Sequence, residues 1–162
     1  MLIFAIDPGT TQSGWVLFSG QKVRASGTSP NAHVLERIRV LGGYVANGLH
    51  EPTRLAVERF EARGMPIGDD SIETLLWTGR FIQAWHKPDE VARVRRSAVK
   101  LELCGSSRAK DPNVRQALID RLGAPGTKRD PGPTYGVSSH AWAALAVAVI
   151  AQQQTDLLGA AA

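Results

Sequence analysis

Apolar and polar positions divide this chain into segments of different period. Leu2 to Ile6 is an apolar run stopped by Asp7-Pro8-Gly9, the pattern of a buried strand that ends in a turn. Gly14 to Ser19 and Lys22 to Thr28 follow, parted by Gly20-Gln21, and the three segments together predict an antiparallel meander. From Asn31 to His50 the period becomes helical, with Val34, Leu35, Ile38, Leu41, Val45 and Leu49 on one face. Arg54 to Glu58 is apolar again and closes on an acid. Asp70 and Glu73 form a candidate capping box for a helix reaching about Trp85.

Val91 to Arg95 mixes apolar and basic residues, as a half-buried fifth strand does. Ser97 to Leu103 predicts a short helix ended by Gly105. In Asp111-Pro112 an N-cap precedes a proline suited to the first helical turn, opening a helix to about Leu122. Gly123 to Gly136 is rich in glycine and proline and predicts a loop, and Ser138 to about Leu157 is helical. The order predicts an α/β fold: a five-stranded mixed sheet, three meander strands plus two, flanked by helices. No internal repeat or low-complexity linker divides it, so 1–162 is read as a single domain.

Charge adds a candidate partner. Nineteen Lys and Arg against fifteen Asp and Glu give a net charge of +4. The basic residues cluster as Arg93, Arg95 and Arg96, then Lys100, Arg108 and Lys110, then Lys128 and Arg129. Clustered cations suit a phosphate-rich partner, and equally a solvated basic face. The one cysteine, Cys104, cannot form an internal disulfide and fits a reducing compartment. The N-terminus lacks the charged stretch of a signal peptide, and the apolar run Ala141 to Ala151 is too short to span a bilayer. A soluble, cytoplasmic protein is expected, with no membrane partner.

The candidate chemistry lies at strand ends. Asp7 and Glu58 each close an apolar strand, and on neighbouring strands their carboxylates would sit beside one metal ion. Each is equally compatible with a simple strand end, and Glu61 is a competing acid three residues on. Gly9, Thr10 and Thr11 would also suit a phosphate-cradling turn of the sugar-kinase or actin type, but those enzymes need two large lobes. His140 opens the last helix, where positions 140 and 143 share a face. Position 143 is an alanine.

Taken in order, these pieces resemble the RuvC-type Holliday-junction resolvases, a branch of the ribonuclease-H-like superfamily, in their compact bacteriophage versions. The matching segments are Ile6-Asp7-Pro8-Gly9-Thr10 with Ser13-Gly14-Trp15, Ala56-Val57-Glu58, and Val99-Lys100 through Leu103-Cys104-Gly105 with Ala109-Lys110. Asn113-Val114-Arg115 and Ser139-His140-Ala141-Trp142 with Ala144-Leu145-Ala146 complete the set. The resemblance implies a ribonuclease-H-like fold and a homodimer that cuts four-way and other branched DNA with two Mg²⁺ ions, for which Mn²⁺ can substitute. It makes Asp7, Glu58 and His140 the catalytic and metal-binding residues. The last acid of the family's His-x-x-Asp element falls on Ala143, which cannot bind a metal.

Two ions roughly 3.5–4 Å apart stabilise the attacking and leaving oxygens in such a mechanism. Loss of one ligand therefore predicts impaired cleavage with DNA binding retained. Arg93, Arg95, Arg96, Lys100, Arg108, Lys110, Lys128 and Arg129 are the candidate DNA contacts. Leu75, Leu76, Phe81 and Ile82 offer an apolar face for a dimer interface, or for packing on the chain's own sheet. Two other readings stay open: a non-catalytic branched-DNA-binding protein and an RNA-processing nuclease of the same superfamily.

Overall fold

A computed structural model describes residues 1–62, 64 and 66–160. The meander forms β1 (Leu2–Asp7), β2 (Gln12–Phe18) and β3 (Val23–Pro30). After α1 (Asn31–Ala46) come β4 (Thr53–Arg59), α2 (Asp69–Ala84), β5 (Ala92–Arg95) and α3 (Arg96–Cys104). The chain ends in α4 (Asp111–Leu122) and α5 (Ala141–Ala160). The strands make one mixed sheet ordered β3-β2-β1-β4-β5. β2 is antiparallel to both β1 and β3, whereas β4 is parallel to both β1 and β5. This is the predicted five-stranded α/β sheet.

Side chains alternate across each strand, so the sheet has two apolar faces. Ile3, Ala5, Val16, Phe18, Ala56 and Val94 face α5, with Val99 of α3 and Leu118 of α4 completing that layer. Phe4, Ile6, Trp15, Leu55 and Val57 face α1 and α2, where they meet Val34, Ile38, Phe81 and Trp85. From Ala141 to Ala151 every residue of α5 is buried except Ala143, which is half-exposed. That burial on all sides explains the continuous apolar run there. Among the described residues, no helix is long and apolar enough to cross a membrane.

Several boundaries differ from expectation. α1 stops at Ala46, and Leu49, assigned to its buried face, is 72% exposed. α2 starts at Asp69 behind Gly68 with no side-chain cap, so the Asp70–Glu73 capping box does not form. Asp69 and Asp70 instead place negative charge in the first turn, where the helix dipole favours it. The N-cap of α4 is Lys110, whose N–H donates to Asn113 Oδ1 at 3.1 Å. Asp111 is thus the first helical residue rather than the cap. Arg96, left between the expected strand and the expected helix, opens α3. α5 begins at Ala141, and Ser138–His140 form a turn in which Ser139 takes a left-handed φ of 46°.

Two arrangements fix the surroundings of Asp7. The turn after β1 is held by a buried network: Ser13 Oγ donates to Asn31 Oδ1 (2.6 Å), Asn31 Nδ2 donates to the Gly9 carbonyl (2.9 Å), and the Gly9 N–H donates to Ser13 Oγ (3.2 Å). Each polar group of the network is thereby satisfied within the fold. On β2, Gly14 lies directly beneath the turn before α5, where a Cβ would collide with the His140 backbone carbonyl and crowd its Cβ. Only glycine lets that turn settle on the sheet.

Gly14→Ala is therefore expected to cost about 1–3 kcal/mol, as overpacked sites do. Thermal melting of the two proteins checks this, and equal melting temperatures would show that the His140 turn yields without cost.

Candidate active site

In the β1–β4 pairing Ile6 lies opposite Val57, so Asp7 and Glu58 are the next residues of two adjacent parallel strands. Alternation puts both carboxylates on the α5 face, in line with Ala5 and Ala56. Their side chains are only 15% exposed. They border a cavity of about 120 Å³ whose other walls come from α3, α4, α5 and the turn before α5. His140 and Ala143 line it from that turn and from α5. His140 Nδ1 stands 3.9 Å from Asp7 Oδ2, an ion pair when the ring is protonated, and its side chain is 59% exposed. A second hollow, of about 310 Å³, reaches Asp7 and Glu58 from the α2 side, past Thr10, Ser71 and Thr74.

Arg96 dominates the electrostatics. Its Nη1 donates to both Glu58 oxygens (3.2 and 3.1 Å), and its Nη2 donates to both Asp111 oxygens (2.9 Å each). Lys100 Nζ lies 3.7 Å from Asp111. Burial, then the neighbouring Glu58 charge, pushes Asp7 up to about 7; Arg96 opposes this and Asp111 adds to it. Burial likewise raises Glu58 above the usual carboxylate range, against the pull of the Arg96 charge and hydrogen bonds. Burial disfavours charge on Arg96, but Glu58 and Asp111 outweigh it and raise the guanidinium above its ordinary value.

The predicted residues separate into groups. Asp7, Glu58, His140 and Ala143 line one cavity, as do Lys100 and Arg96. Arg96, expected among the DNA contacts, is turned onto two carboxylates. Arg93 and Arg95 are exposed on β5, where the register of Glu58 with Val94 places them on the opposite face of the sheet. Arg108 and Lys110 are exposed in the connection before α4. Lys128 and Arg129 are exposed within a tight turn closed by the Thr127 N–H donating to the Asp130 carbonyl. Glu61, the competing acid, accepts bonds from the Ser97 N–H (2.9 Å) and hydroxyl (2.6 Å), holding the first turn of α3. Phe81 is buried and Ile82 half-buried, whereas Leu75 and Leu76 are exposed, so the apolar face of α2 is divided along its length.

Two cavity residues escaped the sequence reading. Asp111 read as a cap, and Arg115, with its guanidinium 4.9 Å from the Trp142 ring, stood only within the Asn113-Val114-Arg115 segment of the resemblance, with no role of its own. Their spacing of four on one helix was the available signal.

Magnesium and manganese favour oxygen donors and commonly take one or two carboxylates beside water and phosphate. Asp7 and Glu58, adjacent and electrostatically strained, fit one such cation. Among the described residues no group of three or more His, Cys, Asp or Glu side chains is arranged to hold a metal ion. Ala143 adds no donor for a second.

No protein-family model and no curated protein sequence matches the chain. Among solved structures it is similar to Thermus thermophilus RuvC, with a TM-score of 0.67 and 20% identity over 97% of this chain and 96% of that one. It is similar also to T. thermophilus RuvC in complex with Holliday junction substrate, with a TM-score of 0.63 and 22% identity over 96% and 97% of the two chains. The likeness is one of fold: this is the RuvC-type, ribonuclease-H-like architecture.

The Asp7 shift carries a pH prediction. A carboxyl whose folded value lies above its unfolded one favours the protonated fold, so its contribution declines as pH rises from about 4 to 7 and is lowest above 7. Without divalent ions, Asp7→Asn is expected to be more stable to unfolding than the unaltered protein at pH 8, by up to about 4 kcal/mol, as denaturant titration would read. The gap should close near pH 4. A gap that widens on acidification would show that Asp7 is stabilised as an anion.

Proposed function

We propose that this chain is a structure-selective endodeoxyribonuclease of the Holliday-junction-resolving kind, acting on four-way and other branched DNA, in a form whose cleavage is impaired by Ala143. The observation that supports it best is the pairing of Asp7 with Glu58 on adjacent strand ends, facing His140 and Ala143 across one cavity. The fold in which this occurs is that of a protein solved with a Holliday junction.

Asp7 and Glu58 would hold a divalent cation, Mg²⁺ or Mn²⁺, which supplies Lewis-acid activation of water and charge neutralisation at phosphorus. The buried strand ends keep both carboxylates rigid, so little reorganisation is needed once phosphate arrives. His140, exposed at the cavity rim and close to Asp7, would contact the scissile phosphate or pass a proton from its ring. Lys100 and Arg115 would add positive charge along the cavity wall. The second of the two ions expected from the resemblance would have relied on position 143, where a methyl group cannot ligate.

DNA would be gripped by cations outside the acid pair. Lys100, Arg108 and Lys110 lie along α3 and the approach to α4, and Lys128 with Arg129 form a projecting turn suited to another arm. Arg93 and Arg95 would serve phosphates passing the sheet edge. A homodimer would match the two-fold symmetry of a junction, and the exposed Leu75 and Leu76 of α2 would join its interface. Ala143 also favours a second reading, a junction-binding protein without nuclease activity.

Cleavage of a labelled four-way junction in Mg²⁺ or Mn²⁺, by this protein and by Ala143→Asp, separates the two. Both proteins should bind the junction in preference to linear duplex and structured RNA. Ala143→Asp should cut it at least about 10²-fold faster, the scale on which a single positioned catalytic group acts. Junction binding with no cleavage by Ala143→Asp would leave the non-catalytic reading. Efficient cutting by the unaltered chain would remove position 143 from the mechanism.

A further inference from the structure

We infer that Arg96 is a resident counter-cation on Glu58 that a divalent ion must displace in order to bind; the inference rests on reading Asp7 and Glu58 as the metal site. Both oxygens of Glu58 are occupied by one guanidinium nitrogen, at 3.1 and 3.2 Å. An ion approaching Glu58 therefore meets oxygens already engaged in charge-assisted hydrogen bonds, which are stronger than neutral ones.

The three partners differ in freedom. Glu58 stands on a strand paired on both sides, between β1 and β5, and its side chain is 15% exposed, so it cannot turn away. Asp111 is 69% exposed at the start of α4, and Arg96 is 33% exposed at the start of α3. The movable part of the bridge is thus Arg96, carried with Asp111. Displacement leaves neither stranded: Lys100 already lies 3.7 Å from Asp111, and a released guanidinium at the cavity wall has a DNA phosphate as its alternative partner. Arg96 so relieves the repulsion of the acid cluster until a divalent ion takes over that role.

The consequence is a measurable competition between one fixed charge and one mobile ion. Mn²⁺ binding can be followed directly from the electron paramagnetic resonance signal of the free ion, with no DNA and no turnover. Arg96→Gln, which removes the charge but keeps a polar side chain of similar reach, is expected to bind Mn²⁺ about tenfold or more tightly than the unaltered chain. Arg96→Lys, which retains charge but loses the two-sided fork, is expected to fall between them. If Arg96→Gln fails to fold without metal, as judged by circular dichroism, the Arg96→Lys comparison carries the test.

Asp7→Asn distinguishes the two levels of the argument. If Mn²⁺ binding weakens on Asp7→Asn but is unchanged or weaker in both Arg96 variants, Asp7 and Glu58 remain the metal site and the counter-cation role of Arg96 is overturned. If Mn²⁺ binding is indifferent to Asp7→Asn, the metal-site reading falls and this inference falls with it.

Discussion

Two carboxylates stand side by side near the ends of adjacent strands of one sheet, and their shared burial is the constraint on which the site depends. Neither side chain can retreat: each continues an apolar run packed under α5, and each is mostly removed from water. A like-charged pair in such surroundings costs free energy unless a proton or a cation relieves it. The chain supplies partial relief through Arg96, which reaches Glu58 from α3, while His140 stands 3.9 Å from Asp7 on the turn before α5. Asp111 draws Arg96 outward while adding a further negative charge. The cavity is therefore electrostatically unfinished, and its chemistry follows from what completes it.

The surrounding architecture keeps that tension in place. The Ser13–Asn31–Gly9 network fixes the turn leaving β1, and Glu61 anchors the start of α3, from which Arg96 reaches Glu58. Close approach at Gly14 lowers the His140 turn onto the sheet beside Asp7. These contacts involve no charge of the cavity itself, yet each sets the position of a group that does. Strain at the site is supported by ordinary packing and hydrogen bonding around it.

What the sequence revealed depended on how local the signal was. Asp7 and Glu58 were legible because an acid ending an apolar run is a pattern within a few residues, and parallel neighbours follow from a crossover connection. Position 143 was singled out by the resemblance, whose last acid falls there; spacing alone put it on the face of His140, which the structure places in the turn before α5. Arg96 was not: its neighbours Arg93 and Arg95 suggested one basic strip, whereas its partners Glu58 and Asp111 lie 38 and 15 residues away in the chain. Asp111 was misread because Asp-Pro is a strong start signal, while the cap belongs to Lys110 through Asn113. The overrun of α1 has the same origin: Leu49 continued the apolar period after packing had ended.

The position of α5 has a consequence for how the chain comes to be folded. β1 pairs with β2 across a short turn, but one of its faces is covered only by a helix more than a hundred residues later in the sequence. At synthesis rates of about 5–20 residues per second, Ile3 and Ala5 leave the ribosome on the order of ten seconds before their cover exists. During that interval an apolar sheet surface stands open, prone to association with other unfinished chains or to capture by chaperones. The acid pair shares this timing. Asp7 and Glu58 lie on the face that α5 covers, so their buried setting cannot be complete before that helix has been made.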